Sequence, residues 1–318
     1  FYASQDRAVT VEDYKVKTKQ LYANVKSVSA WGGEDNDVPF YGRVYISILP
    51  TSGSNLTEST KSRIVTDLKK YSVASVTPVI VDPEITSIIL RSSIKFDAGA
   101  TTKVSDTIKS DVITTITNYN ANTLQSFDNM FRHSKMTGLI DDTDESILSN
   151  VTTVQLRKSF TPTIGSSQKY SVAFSNALYN PHSGHASEGG GILSSSGFKI
   201  DGNTTDVFFL DDDGNGNVRR YKMDGSARSY ANATQGTIDY SSGLVEINSL
   251  NVSNIENIRG AASTVIEITV KPNSNDIVPI RNQVLDIDVA NSSVTVEADT
   301  LVGGSANAGI GYTTTTSY

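Results

Sequence analysis

The chain has 318 residues, more than a single hydrophobic core usually organises, so about two domains of roughly 100 to 200 residues are expected. Its 27 basic and 34 acidic residues leave a net charge of −7, which offers nucleic acid or an anionic membrane no general attraction. With no cysteine, disulfides and thiolate metal sites are excluded, and no apolar run approaches the ~20 residues that span a bilayer.

The first six residues do not have the pattern of a signal peptide, and a start at Phe1 is expected of a piece of a longer protein. Thr10-Val11-Glu12-Asp13 reads as a capping box, and Val11, Tyr14, Thr18, Leu21 and Val25 mark one side of a short helix. Val25 to Trp31 is expected to be a strand, and Gly32 to Asp37 a flexible polar connection. These elements form a lead-in over residues 1–40, with Trp31, the one tryptophan, as a core or interface anchor.

From 41 to 160 the pattern reads as a β-α-β-β-α-β unit. Val44, Ile46 and Ile48 alternate with Arg43, Tyr45 and Ser47, and Pro50 ends that strand. Asn55 and Glu58 fit a second capping box, opening a helix with Ile64, Val65, Leu68 and Tyr71 on its apolar side. Thr77 to Val81 is a strand, Asp82-Pro83 a break, and Ile85 to Phe96 a half-buried strand with Ser92 as the polar exception on its inner side. Thr101 or Thr102 caps the next predicted helix, on which Val104, Ile108, Val112, Ile116 and Tyr119 recur, continuing to Leu124 and Phe127. After a poorly periodic segment, Val151 to Phe160 is the last strand. Two helices on one side of an antiparallel sheet make a ferredoxin-like arrangement, so Ile46, Leu68, Ile88 and Ile116 should share one core.

Beyond Phe160 the composition turns to serine, glycine and asparagine with short β-prone runs: 170–174, 198–200, 207–210, 218–223, 237–240, 244–247 and 265–270. The fold class is therefore α+β: a ferredoxin-like domain over 41–160, then an antiparallel β domain over 161–280. The glycine-rich stretch between Tyr179 and Ser196 reads as a mobile loop. Residues 281–318 should hold a hairpin, Val284–Val289 with Val294–Val296, followed by an arm ordered by a neighbour or not at all.

Several segments suggest chemistry. Asp211, Asp213 and Asn215 alternate as calcium-loop ligands do, but the twelfth position is Lys222 where a glutamate is needed; a hairpin turn is the reading and a weak cation site the alternative. His182 and His185 have no third ligand, and His133 has no nucleophile beside it. Asp141-Asp142-Thr143-Asp144-Glu145 is a run of acids of the kind that are usually solvated; in a hydrolase Asp141, Asp144 and Glu145 would have to converge in a cleft. No catalytic, metal or cofactor-binding residue is assigned and no cofactor is expected. Phe127, Met130, Phe131, Met136 and Leu139 are the candidate protein interface, with capping of the α/β core as the other reading.

Three segments in order carry a resemblance: Arg7 to Tyr14 (RAVTVEDY), Gly42 to Ile48, and Val79 to Glu84. They resemble the J-like baseplate wedge proteins of contractile-tailed phages, and Gly236 to Gly243 resembles a G-x-I-D-Y-x-x-G turn of phage baseplate proteins. That resemblance implies a non-enzymatic structural subunit of the virion's tail baseplate, assembled in the host cytoplasm. It implies a homodimer or higher homo-oligomer that joins other baseplate wedge proteins, shifts when the sheath contracts, and neither binds nucleic acid nor inserts into a membrane. A cell-surface adhesin or glycan-binding β module is the alternative, with Tyr179, Tyr221, Tyr230 and Tyr240 as its aromatics.

Overall fold

Thr10 starts the first helix, α1 (Val11–Leu21), through a reciprocal pair of bonds: the Asp13 amide donates to Thr10 Oγ1 at 3.3 Å and the Thr10 amide to Asp13 Oδ2 at 2.8 Å. The structure, a computed structural model, describes residues 7–36, 38–53, 55–185 and 191–299. β1 (Val25–Gly32) and β2 (Arg43–Pro50) pair antiparallel, with Trp31 opposite Tyr45 and their rings stacked 5.8 Å apart. α2 (Glu58–Lys69) crosses back so that β3 (Thr77–Val81) runs parallel to β2. Its cap is Thr57 rather than the expected Asn55, because Thr57 is the last extended residue and its hydroxyl accepts from the Thr60 amide. Tyr14, Ile46, Ile48, Ile64 and Leu68 form the core of this unit. The expected lead-in is thus part of it: α1 and β1 complete the layer pair with β2, α2 and β3.

The ferredoxin-like arrangement is not what forms. β1-β2-β3 is a sheet by itself, and the following β4 (Glu84–Phe96) belongs elsewhere. Ile46 and Leu68 therefore lie in one core, Ile88 and Ile116 in another. Pro78 in β3 brings no ladder amide, and Asp82-Pro83 breaks the chain after it, so β3 is a sheet edge rather than a centre. α3 (Ser105–Tyr119) starts after Val104, not at Thr101 or Thr102; Thr101 Oγ1 accepts from the Lys103 amide one turn earlier. A π-helical turn (Asn120–Leu124) follows, and the segment read as poorly periodic contains α4 (His133–Asp141). β5 (Ile147–Phe160) pairs with β4 from Ile147 to Arg157, with Thr152 Oγ1 donating to the buried Ser92 Oγ at 2.9 Å.

Next come β6 (Ser167–Ala173), β7 (Ser194–Ser195), β8 (Phe198–Ile200), β9 (Asn203–Asp212), β10 (Asn217–Asp224), β11 (Ala227–Asp239) and β12 (Leu244–Ile255). Apart from β7 they form a small barrel in the order β11-β10-β9-β8-β12, closed by β11 on β12, with β6 added outside β12. Closure needs Gly236: a Cβ there would lie 2.0 Å from the Glu246 carbonyl oxygen, where β11 leaves β10 for β12. β13 (Ile266–Val270) returns to β5 and also pairs with β7.

The expected 284–296 hairpin is absent as well. β14 (Gln283–Ile287) and β15 (Ser293–Ala298) both run parallel to β4, one after the other. The five residues between them loop out, and the Ser292 hydroxyl replaces a strand carbonyl by accepting from the Leu90 amide at 3.0 Å. Arg157 bonds Asp288 in that loop. Ile88, Ile108, Ile116, Phe198, Leu210 and Ile247 belong to one continuous core, so sheet, helices and barrel are packed together. Lys158, nearly buried, joins β5 to Glu84 at 2.6 Å and to the Ala173 carbonyl; burial pushes its ammonium pKa down, against the pull of Glu84. The arm expected at 300–318 lies outside the described residues.

The first unit meets this body through a thin joint. Leu49, Phe127 and Val284 form a small cluster, Ser27 Oγ accepts from the Phe127 amide at 3.2 Å, and Lys26 reaches Gln125 at 3.1 Å. The connecting Asp82 is held by Lys61 of α2 at 2.7 Å and by Asn282 at 2.9 Å.

Candidate functional site

The hairpin reading of Asp211 to Gly216 holds, since the segment joins β9 to β10. Asp211, 1% exposed, accepts from Arg219 Nε at 2.9 Å and Nη2 at 3.2 Å, Arg228 at 2.6 Å and the Tyr230 hydroxyl at 2.9 Å. Asp212, equally buried, accepts from the Leu193 amide at 2.9 Å and the Tyr240 hydroxyl at 2.6 Å. Asp213 caps the turn through Asn215 and Asn217. The three carboxylates are thus spent on protein donors and point to different partners. Among the described residues no group of three His, Asp or Glu could hold a metal ion.

The G-x-I-D-Y-x-x-G segment explains itself locally. Asp239 accepts from the Ser241 amide and both the Ser241 and Ser242 hydroxyls, and Gly243 takes the left-handed φ of +73° that ends the turn into β12. Tyr240 then reaches inward to Asp212, and burial together with that carboxylate raises its phenol pKa. Hydrogen bonds from Ser241 and Ser242 hold the Asp239 carboxyl at a pKa of about 2. A carboxyl whose folded pKa is depressed stabilises the fold above its unfolded value, ~3.9, and loses that contribution as pH falls toward about 2. Asp239→Asn is therefore expected to flatten the decline of the thermal midpoint between pH 4 and pH 2, measured by circular dichroism, relative to the unchanged chain.

The remaining candidate groups do not converge. Asp141 accepts from Asn150 at 2.6 Å, Asp144 pairs with Ser146 and with Lys103 at 2.9 Å, and Glu145 is exposed. Ser146 first and Lys103 second hold Asp144 at a pKa of about 2, so it stays ionised over the working range of an acid–base catalyst. His133 Nε2 bonds the Thr152 carbonyl oxygen at 2.8 Å, and His182 and His185 face each other edge-on with ring centres 6.0 Å apart. Of the tyrosines in the glycan reading, Tyr221 is buried, Tyr230 and Tyr240 are bonded to Asp211 and Asp212, and Tyr179 lies under Lys271. Tyr221 and Tyr230 lie 5.9 Å apart, and Tyr179 and Tyr240 each lie 6.0 Å from the His185 ring.

The five interface candidates separate. Phe131 and Met136 are fully buried in the main core, Phe127 is 5% exposed in the joint, and Leu139 packs against the core. Met130, 39% exposed, is the member on the surface. What the sequence pattern did not single out is the β1–β2 loop, where Val38, Phe40 and Tyr41 are 71%, 48% and 82% exposed. The signal was available: three large apolar residues on four positions in a turn with no helix or strand period.

Two family models match this chain: baseplate structural protein gp6, C-terminal domain I, over residues 10–81, and baseplate structural protein gp6, C-terminal domain III, over residues 84–159. They divide the chain where Asp82-Pro83 separates the two sheets. The chain is 26% identical over 154 residues to the baseplate wedge protein gp6 of Enterobacteria phage T4, a stretch covering 48% of this chain and 23% of that protein. It therefore spans less than a quarter of that relative's length. A solved structure of the anti-feeding prophage baseplate, 6-fold symmetrised, contains a similar chain, with TM-score 0.37 and 12% identity over 48% of this chain and 34% of that one.

Proposed function

We propose that this chain, which resembles the C-terminal part of the gp6 baseplate wedge protein, works as a structural subunit of a contractile phage tail, by self-association and by contacts with other wedge proteins. The observation that carries this reading is the succession of two gp6 C-terminal domains in order over residues 10–159. The chemistry of the described residues supports it: the buried carboxylates Asp211 and Asp212 and the tyrosines bonded to them are committed to internal partners. Repositioning when the sheath contracts fits the thin joint at Asp82-Pro83, where one chain crossing, one small apolar cluster and a few polar contacts from Lys15, Lys26, Ser27 and Asp82 link the first unit to the body. Assembly in the host cytoplasm into the virion's baseplate belongs to the same reading.

Coexpression with the other tail proteins of the same phage, followed by purification on a tag carried by this chain, tests it. A stable complex containing this chain and at least one other baseplate protein is expected. A chain that is monomeric at every attainable concentration and is recovered without tail proteins would overturn the reading.

A further inference from the structure

Asp82 is gripped from both sides of the joint. Lys61 of α2 donates to its carboxylate at 2.7 Å, and Asn282 of the body donates to its carbonyl oxygen at 2.9 Å. The Asn282 carbonyl oxygen also accepts from the Glu84 amide at 2.8 Å, so one residue of the body brackets Pro83. Beyond Pro83, the Glu84 carboxylate pairs with Lys158 at 2.6 Å. The linker is therefore clamped by a lysine at each end, one from the first unit and one from the body.

The two clamps differ in what breaking them leaves behind. The Lys158 side chain is 3% exposed and has Glu84 as its carboxylate partner, so parting them strands an ammonium in the interior, which is costly. Glu84 is also fixed in register, opposite Gln283 in the ladder of β4 and β14. Lys61 is placed differently: it has a second carboxylate, Glu58, at 2.6 Å on its own helix and 87% exposed. Asp82 is 43% exposed, so water can solvate it on release. Lys61 and Asp82 can thus separate with both charges still compensated.

Little else in the joint resists rotation. A cleft of about 320 Å³ lies between the two parts, with Lys26, Leu49 and Pro50 on one side and Ile85, Val284 and Asp286 on the other. Across that space no side chains interdigitate as they do in a packed interior.

We propose that the Lys61–Asp82 ion pair is a releasable latch. When it opens, the first unit turns about the junction of Val81 and Asp82, Glu58 keeps Lys61 neutralised, and residues 82–84 stay with the body on Asn282 and Lys158. This inference rests on the repositioning proposed above and names the bond that gives way and the side of Pro83 that moves.

The chain has no cysteine, so two spin labels can be placed at Lys19→Cys on α1 and Lys109→Cys on α3, both exposed positions. Double electron–electron resonance on the full chain, free of partners, then reads the distance between the first unit and the body. One narrow distance is expected for the labelled chain. Lys61→Met and Asp82→Ala, which break the same bond from its two ends, are each expected to add a second population, with the open fraction raised about tenfold or more, the weight of one charged hydrogen bond. Glu84→Gln is expected to keep the single distance and instead lower the thermal midpoint, because it leaves Lys158 without a counter-charge. A single narrow distance in both latch variants, a labelled chain that is already broad, or a Glu84→Gln chain that broadens as they do would overturn the latch. Latch variants that unfold would overturn it too, since a bond made to open cannot be one the fold requires. These readings need no tail protein: a chain that joins tail proteins but keeps one distance loses only the latch, and one that opens as expected but joins none loses only the structural role.

Discussion

Asp211→Ala is expected to lower the unfolding free energy by about 3–5 kcal/mol, the usual effect of removing one partner from a buried ion pair. The reason is what remains behind. Arg219 is 7% exposed, its guanidinium is held by Asp211 and by the Asp212 carbonyl oxygen at 2.7 Å, and it lies 4.3 Å from the Tyr230 ring centre. Without the carboxylate the guanidinium charge is left with no counter-ion of its own in a place water hardly reaches. Arg228 and the Tyr230 hydroxyl lose an acceptor at the same time. Because Asp211 and Arg219 sit opposite each other on β9 and β10, the damage falls on the hairpin that supports the barrel wall. Urea denaturation followed by tyrosine fluorescence and far-ultraviolet circular dichroism measures the change. A loss below about 1 kcal/mol would mean that the pair contributes no more than an exposed one.

Phe131→Ala is expected to cost about 3–5 kcal/mol, while Met130→Ala stays within about 0.5 kcal/mol. Phe131 is fully buried, meets Tyr119 edge-on with ring centres 6.3 Å apart, and its backbone bonds Ile277 in both directions at 2.9 and 3.0 Å. Its ring fills space between α3, α4 and the segment before β14, so truncation leaves a cavity that a segment fixed by two backbone bonds cannot close. Met130, its neighbour, is 39% exposed. The same denaturation series measures both. An equal, small effect at the two positions would show that Phe131 contributes packing no better than a surface side chain.

These two residues also mark how far the sequence could be read. Asp211 looked like a ligand because aspartate, asparagine and glycine alternate there; the same residues make a tight turn, and the failed twelfth position already favoured the turn. That its carboxylate would meet Arg219, Arg228 and Tyr230 was not legible, because those residues are brought to it by the register of β9, β10 and β11. Phe131 and Met136 looked like spare apolar groups because Phe131 precedes α4 and α4 itself has only nine residues, too few for a period to stand out. Phe131 is fixed by Ile277, a residue far along the chain that bonds its backbone in both directions.

The sequence by itself determined the elements. Thr10 and Asp13 set the first helix start, alternation set β2 and β4, Pro50 and Asp82-Pro83 set the breaks, and the order of three short segments pointed to the baseplate wedge family. Each of these signals is local: a cap spans four residues, a strand period two. Which strand lies beside which was decided only by the tertiary structure. β4 could have joined β3 across one proline; instead its two edges are taken by β5 and by β14 and β15, some 200 residues away, and an expected hairpin became two strands in line. An open strand edge carries the same amides and carbonyls whatever its sequence, so its partner is selected by side chains packing on the faces of the finished sheet, and that selection is made between parts of the chain that no short window contains.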